Sequence, residues 1–361
     1  MPERYRVPPA AEQLEIAVLG RGMGESILCH IGDSKWVIID SFRSSRGVPI
    51  ASEYLQQLDG DHEVVAVVVS HWDDDHIHGM GALVEQWMPN QVWLPTILRD
   101  QELVAFAVEH DEAMAGVAPS GLKEFLHVMQ VTKGQGIRRW GSQGHSIATT
   151  TPAVMTLLSP THEFIDEALT VLGINHAPGE REVTSVRSNR TSIVLWVQMG
   201  GATALLGADL EATSAGWSTV VGAHDVSRPS AGVMKVPHHG SGDADDQRVW
   251  DIMVDSRAFN VATRYTRLKE PLPRPDDVKR LLDRTGGLFV VGELSKRLRT
   301  ESTAYDLHLD AASTDGIRAL GQVGVVRLRH GPEMEWRCET FGAVEVVVGC
   351  GVGSDTAPIS G

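Results

Sequence analysis

The chain has 361 residues, 42% of them hydrophobic and 22% charged, with a formal net charge of −15 at pH 7. That composition is globular and long enough for one large domain or two small ones. The acidic balance excludes a protein whose whole surface attracts nucleic acid, although a local basic groove is compatible with it. No apolar run approaches the roughly 20 residues that cross a bilayer, and "MPERYRVPPAAEQ" lacks the apolar core of a signal peptide, so a cytoplasmic protein with no membrane segment is expected.

The first elements read as a meander of strands, "LEIAVLG" (14 to 20), "ESILCHI" (25 to 31) and "KWVIID" (35 to 40), separated by the glycine-bounded turns "GRGMG" and "GDS". In "IASEYLQQLDG", Ile50, Tyr54, Leu55 and Leu58 fall at helical spacing. The following "EVVAVVVS" is apolar throughout, which predicts a strand buried on both faces. It ends at Ser70, so the cluster that begins at His71 is expected on a loop at the strand's carboxyl end, before the helix "GMGALVEQW".

Residues 97 to 130 read as two inserted helices that wall a substrate pocket, and "VMTLLSP" reads as a strand running toward His162. No repeat or polar linker divides the chain, so residues 1 to 350 are expected to form a single domain and 351 to 361 a flexible tail. Cys29, Cys338 and Cys350 are far apart, with no CxxC pair, and read as buried reduced thiols.

The cluster "HWDDDHIH" carries the chemistry. His71, Asp73, Asp75 and His76 form the pattern HxDxDH, and imidazoles with carboxylates are the usual ligands of zinc, manganese and iron. Packed into six residues, such groups repel and desolvate one another unless a cation neutralises them. The competing reading is a solvated acidic turn whose aspartates cap a helix; Asp74, between the ligands, is expected to turn toward solvent or the helix amides.

The stretch resembles the signature of the metallo-β-lactamase fold, HxHxDH, with Asp73 where that signature has its second histidine. HxDxDH is similar to the hydrolase domain of ComEC-type DNA-uptake proteins and its soluble relatives. Three further segments carry the same resemblance. "IAVLGRGMGESILCHIGDSKWVIIDSF" resembles an opening of "VGxGD" leading to "IDxG", with Glu25 for the aspartate and Ser41 and Phe42 for the glycines. "RSNRTSIVLWVQMGGATALLGADLEA" (187 to 212) resembles "NNxSLVL" followed by "GDxE", and "MKVPHHGSGD" (234 to 243) resembles "LKVPHHGS". Relatives place a histidine and proline before a helix where this chain has "EPLPRPDDVKRLL", with Arg274 or a proline in the histidine's place.

The resemblance implies an α/β (α+β) four-layer αββα sandwich, two facing mixed sheets flanked by helices, with a site at one edge. It implies two divalent metal ions, zinc or manganese: His71 and Asp73 on one, Asp75 and His76 on the other, Asp209 between them, and His238 or His239 completing a shell. Asp75 and Asp209 would be catalytic, Asp75 orienting a metal-bound hydroxide and shuttling its proton. A further histidine ligand would come from His145, His162 or His176, each also readable as a surface residue.

Asp40, His78, His162, Asn189, Arg190, Ser241 and Arg274 are the candidates for orienting a ligand or touching substrate. Arg187, Arg190, Arg264, Arg267, Lys269 and Arg274 would neutralise phosphates, or are ordinary surface cations. Three functions follow: a phosphodiesterase or nuclease, with a phosphodiester or nucleic acid as its substrate; a metallohydrolase of a small ester, lactone or amide; and a catalytically degenerate metal-binding partner protein. Nothing in the chain bears on oligomeric state.

Overall fold

The structure is a computed structural model that describes residues 3–99, 120–171, 188–285, 287–292, 305–308 and 323–349. In chain order, β1 (Leu14–Gly20), β2 (Glu25–His30), β3 (Lys35–Ile39), β4 (Glu63–Val68), β5 (Gln91–Pro95) and β6 (Arg138–Gly141) enter one sheet. The second sheet takes β7 (Ser146–Ile147), β8 (Val154–Leu157), β9 (Leu195–Met199), β10 (Ala202–Leu206), β11 (Ala231–Lys235), β12 (Val254–Thr263), β13 (Gly287–Val291) and β14 (Tyr305–His308). β15 (Gly324–Gly331) and β16 (Met334–Gly342) return to the first sheet, and β17 (Val344–Gly349) to the second.

The strand orders are β16-β15-β1-β2-β3-β4-β5-β6 and β14-β17-β13-β12-β11-β10-β9-β8-β7. Both sheets are mixed. β1, β2 and β3 form the antiparallel meander expected from their turns, whereas β3 to β6 run parallel.

Three apolar layers separate four layers of structure, as in the expected αββα sandwich. Between the sheets lie Ile16, Val18, Ile27, Leu195, Val233 and Val261. Outside the first sheet, α2 (Ile50–Gln57) and α4 (Met80–Trp87) bury Ile50, Tyr54, Leu55, Leu83 and Val84 against Trp36, Ile38 and Val67. Outside the second, the helices Trp217–Gly222, Gln247–Ile252 and Pro275–Thr285 cover Met234, Val290 and Val347.

β4 is buried on both faces from Val64 onward, as its apolar run predicts. A bulge against β3 breaks its alternation: Trp36 pairs with Val64 but Val37 with Ala66. Val64 and Val67 therefore face the helices while Val65, Ala66 and Val68 face the other sheet.

The N-terminal turn α1 (Glu3–Arg6) is clasped by Arg327, which donates to the carbonyls of Arg4 and Tyr5 at 2.8 and 3.0 Å and to Glu339 at 2.7 Å. Its guanidinium also lies 4.7 Å from the Phe341 ring centre. Arg327→Met is expected to lower stability by about 2–4 kcal/mol, because it strands two carbonyls and a carboxylate. A urea melt reads this directly; an unchanged midpoint would show that the clasp contributes nothing.

Some expectations are corrected. Residues 74–77 are not loop but a one-turn helix, α3 (Asp74–Ile77). Of the two helices expected in 97 to 130, Thr96–Arg99 is a short 3-10 turn and Ser120–Val131 an α-helix, while 100–119 lies outside the described residues. The tail 351–361, Cys350, His176 and Arg187 lie outside them too. Cys29 is buried as expected, but Cys338 is only half-buried. No described helix is long and apolar enough to cross a membrane.

Candidate metal centre

The site forms where the carboxyl ends of β3, β4, β11 and β12 meet. β3 delivers Asp40, whose backbone turns left-handed at φ 60°, a conformation that aspartate tolerates better than most residues. The turn aims its buried carboxylate at the start of the His71 segment. Oδ1 accepts the Ser70 amide at 2.7 Å; Oδ2 accepts the Ser70 hydroxyl at 2.6 Å and His76 Nδ1–H at 2.8 Å.

These partners determine the tautomers. Because the Ser70 hydroxyl donates to Asp40, its oxygen receives Nδ1–H of His71, 2.9 Å away. His239 Nδ1–H likewise meets the carbonyl and hydroxyl oxygens of Thr263, at 3.2 and 2.9 Å. Three buried imidazoles are thus anchored through Nδ1, leaving their Nε2 lone pairs for another partner. Nε2 of His71 and of His76 has no hydrogen-bond partner.

Those lone pairs face carboxylates. His76 Nε2 is 3.4 Å from Asp209 Oδ1 and 3.6 Å from Asp75 Oδ2. His239 Nε2 is 3.0 Å from Asp75 Oδ2 and 3.6 Å from Asp209 Oδ2. Neutral imidazole nitrogens and carboxylate oxygens are all acceptors, so such a group coheres only around added protons or a cation. Donors bound about 2.1 Å from one tetrahedral ion lie about 3.4 Å apart, which is the spacing observed. The residues present therefore fit a divalent metal.

Glu25, His76, Asp209 and His239 form one cluster with metal-ligand spacing, and Asp40, His71 and His76 another. Asp40 is better described as the anchor of the two rings, since its oxygens are already occupied by Ser70 and His76.

The electrostatics agree. Burial, with His76 adding to it, lowers His71 to about 4, so its ring is neutral. Burial opposes charge on His76, yet Asp209, Glu25 and Asp75 together hold it well above its ordinary range. Burial likewise works against the Asp75 and Asp209 carboxylates, and the facing His76 and His239 hold both below the usual range. A metal would take the place of the protons that these carboxylates draw onto His76.

Asp73 sits beside His71, Oδ2 lying 3.7 Å from its Nε2, and receives the Ser188 hydroxyl in a short hydrogen bond. Desolvation raises it to about 6 against the effect of that hydroxyl. The short turn Ser188–Thr191 hands one side chain to each part of the site: Ser188 to Asp73, Asn189 to His238 Nε2 at 3.2 Å, and Arg190 to Glu211 at 3.0 Å.

The adjacent histidines separate. His238, His239 and Gly240 all have left-handed backbone, at φ 46°, 54° and 83°, and Ala208 opposite them has φ 44°. Each such non-glycine residue costs about 1–3 kcal/mol, offset here by hydrogen bonds from His238 N to Ala208 O and from Ser241 N to His238 O. The turn points His239 into the cluster, stacked 5.1 Å from Tyr265. His238 instead pairs with Asp243 at 3.1 Å; burial opposes its charge, but Asp243 and Asp209 raise it to about 8.

Other expected contacts lie elsewhere. The side chains of His78, His145 and His162 are exposed. Ser241 lies beside Asp243, whose carboxyl it helps to hold below the usual range. Arg274 meets Glu270 at 3.6 Å, and its amide caps the following helix through Asp277. Asp74, expected toward solvent or the helix amides, is one-third exposed (33%) and meets Arg267 at 3.4 Å.

Two contributors, Lys235 and Thr263, escaped sequence reasoning, and Glu25 entered it only as the replacement of a motif aspartate. Glu25, Lys235 and Thr263 are wholly buried behind the rings, Glu25 lying 2.6 Å from Lys235. A lysine inside the apolar strand "AGVMKV" was the available signal.

A sandwich of two mixed sheets with buried imidazoles and carboxylates at its edge defines a class of metal-binding α/β proteins. The family model described as "Metallo-beta-lactamase superfamily" matches residues 19–244, and the chain belongs to that superfamily, whose members are generally metal-dependent hydrolases. Similar solved structures include YhfI from Bacillus subtilis, a metallo-beta-lactamase fold protein: 12% identity, 77% of this chain and 95% of that one covered, TM-score 0.38. Igni18, a metallo hydrolase from Ignicoccus hospitalis, is 11% identical over 69% of this chain and 81% of its own, TM-score 0.35. Zinc-bound PqqB from Methylobacterium extorquens is 12% identical over 63% and 67%, TM-score 0.33. No curated protein matches the chain in sequence.

Proposed function

We propose that this protein is a hydrolase that holds two divalent ions, zinc or manganese, and cleaves phosphodiesters, nucleic acids among them. The observation that carries the metal reading is the pair of Nδ1-anchored imidazoles, His76 and His239, whose Nε2 atoms meet Asp75 and Asp209 at 3.0–3.6 Å. Asp75, His76, Asp209 and His239 would hold one ion, and His71 and Asp73 the other, with Asp209 between them. Charge supports the number: Asp40, Asp73, Asp75, Asp209 and Glu25 are five carboxylates against one buried ammonium, Lys235, an excess of four negative charges. Two divalent ions balance it.

Bound ions of this kind supply a water of lowered pKa and positive charge for the developing oxyanion. The chain's own part is to keep the ligands in register. Asp40 and Thr263 hold the rings, and Asp75 would orient the attacking water, take its proton on a carboxylate oxygen and pass it to the leaving alkoxide as the P–O bond breaks.

The phosphodiester assignment rests on the resemblance of HxDxDH, "GADLE" and "KVPHHGS" to the ComEC-type branch. One observation favours a second reading, hydrolysis of a small ester, lactone or amide: cations expected to meet phosphate are already paired, Arg190 with Glu211, Arg267 with Asp74 and Arg274 with Glu270. Purified protein loaded with manganese or zinc is expected to carry about two ions per chain and to hydrolyse bis-p-nitrophenyl phosphate faster than p-nitrophenyl acetate. The reverse preference would establish the second reading. Metal uptake without turnover of either would point to a binding protein.

A further inference from the structure

Behind the cluster lies an ion pair outside the ligand set proposed above. Glu25, at the start of β2 in one sheet, and Lys235, at the end of β11 in the other, are both 0% exposed, and Lys235 Nζ is 2.6 Å from Glu25 Oε1. The same ammonium lies 3.9 Å from Asp209 Oδ1, an oxygen with no hydrogen-bond partner. Its other near neighbour is the carbonyl of Ala208, at 3.4 Å.

A buried ammonium beside a buried carboxylate is ordinarily drawn into direct contact, since both have been stripped of water. Here it stops short of Asp209 and lies against Glu25 instead, at 3.9 and 2.6 Å. Glu25 is itself fixed: Oε2 receives the Thr263 hydroxyl in a short hydrogen bond, and that hydroxyl oxygen receives His239 Nδ1–H at 2.9 Å.

We infer that Glu25 is a positioning residue that restrains Lys235, keeping its ammonium off Asp209 so that Oδ1 stays free for metal. The inference rests on the metal-site reading above. The pair has two effects of opposite sign. Lys235 offsets one of the negative charges concentrated at the site, while its proximity makes it the nearest competitor for Asp209. Glu25 decides between them by holding the ammonium beyond hydrogen-bonding distance.

Glu25→Gln leaves the shape nearly unchanged, removes the restraint and lets Lys235 close on Asp209. Removing the lysine as well, in Glu25→Gln/Lys235→Met, takes away the competitor. Groups that orient metal ligands typically change affinity by roughly 10- to 100-fold when lost. Zinc affinity is measured on the full chain by competition with a chromophoric chelator, with circular dichroism on the metal-free forms.

The single variant is expected to bind zinc roughly 10- to 100-fold more weakly than the wild type, and the double variant to return to within about threefold of it. A part that merely supports the fold would give the opposite order, with the double variant at least as impaired as the single. Wild-type affinity in Glu25→Gln, or a double variant as weak as the single, overturns the inference. Should the single variant fail to fold, the double variant decides alone, and binding more than about tenfold weaker than wild type overturns it. A wild-type protein that takes up no zinc overturns the metal reading and this inference with it.

Discussion

Asp209→Ala is expected to bind metal more than about 100-fold more weakly, since losing a mere orienting group already costs 10- to 100-fold, and to reduce hydrolysis to the level of buffer. Asp209 presents Oδ1 to His76 Nε2 at 3.4 Å and Oδ2 to His239 Nε2 at 3.6 Å, so its loss removes a carboxylate oxygen from beside each of these two ring nitrogens. Circular dichroism should show a folded chain, because the carboxylate lies at the edge of the sandwich and not among its apolar layers. In the wild type, added zinc or manganese should raise the melting temperature, as any ligand bound only by the native state does; in the variant that response should vanish. His162→Ala serves as the control, its side chain being exposed, and should leave both metal content and turnover unchanged. Full activity in Asp209→Ala would rule out a bridged pair of ions.

The second large effect is expected from Asp40→Asn, at a residue outside the proposed ligand set. Asp40 Oδ1 accepts an amide N–H, and Oδ2 accepts both a hydroxyl and an imidazole N–H. An asparagine must set its NH₂ group against one side or the other. Facing His76, the NH₂ drives the ring to the tautomer with its proton on Nε2, the atom needed for metal. Facing Ser70, it strands that amide in a buried place. Either way metal affinity should fall roughly 10- to 100-fold, and stability by about 1–3 kcal/mol for the donor left without a partner. A chelator competition and a urea melt on one preparation measure both. Unchanged affinity would show that the rings are held by packing alone.

Much of this was legible in the chain because it is local. The valine run of β4 specified a doubly buried strand, and the HxDxDH spacing placed four ligand-type groups on the turn after it. Glycines and short polar turns marked the opening meander. Where local patterns misled, tertiary contacts had overridden them. Residues 74–77 close a helical turn within the ligand stretch, and of the arginines expected to meet phosphate, Arg190 and Arg267 found carboxylates from other segments and Arg274 one from its near neighbour Glu270.

What sequence by itself determined, then, is the class of fold and the stretches that carry the candidate ligands, since both depend on spacing along a few residues. The tertiary structure alone decided which atoms converge. Asp75 and His239 stand 164 residues apart, and only the packing of the two sheets brings them to 3.0 Å. His238 and His239 are indistinguishable as letters; three left-handed residues in a row turn one inward and the other toward Asp243. In the sequence Glu25 stands only for a motif aspartate and Lys235 only for a letter of "MKVPHHGSGD", because a buried charge acquires meaning only from the opposite charge that the fold sets beside it.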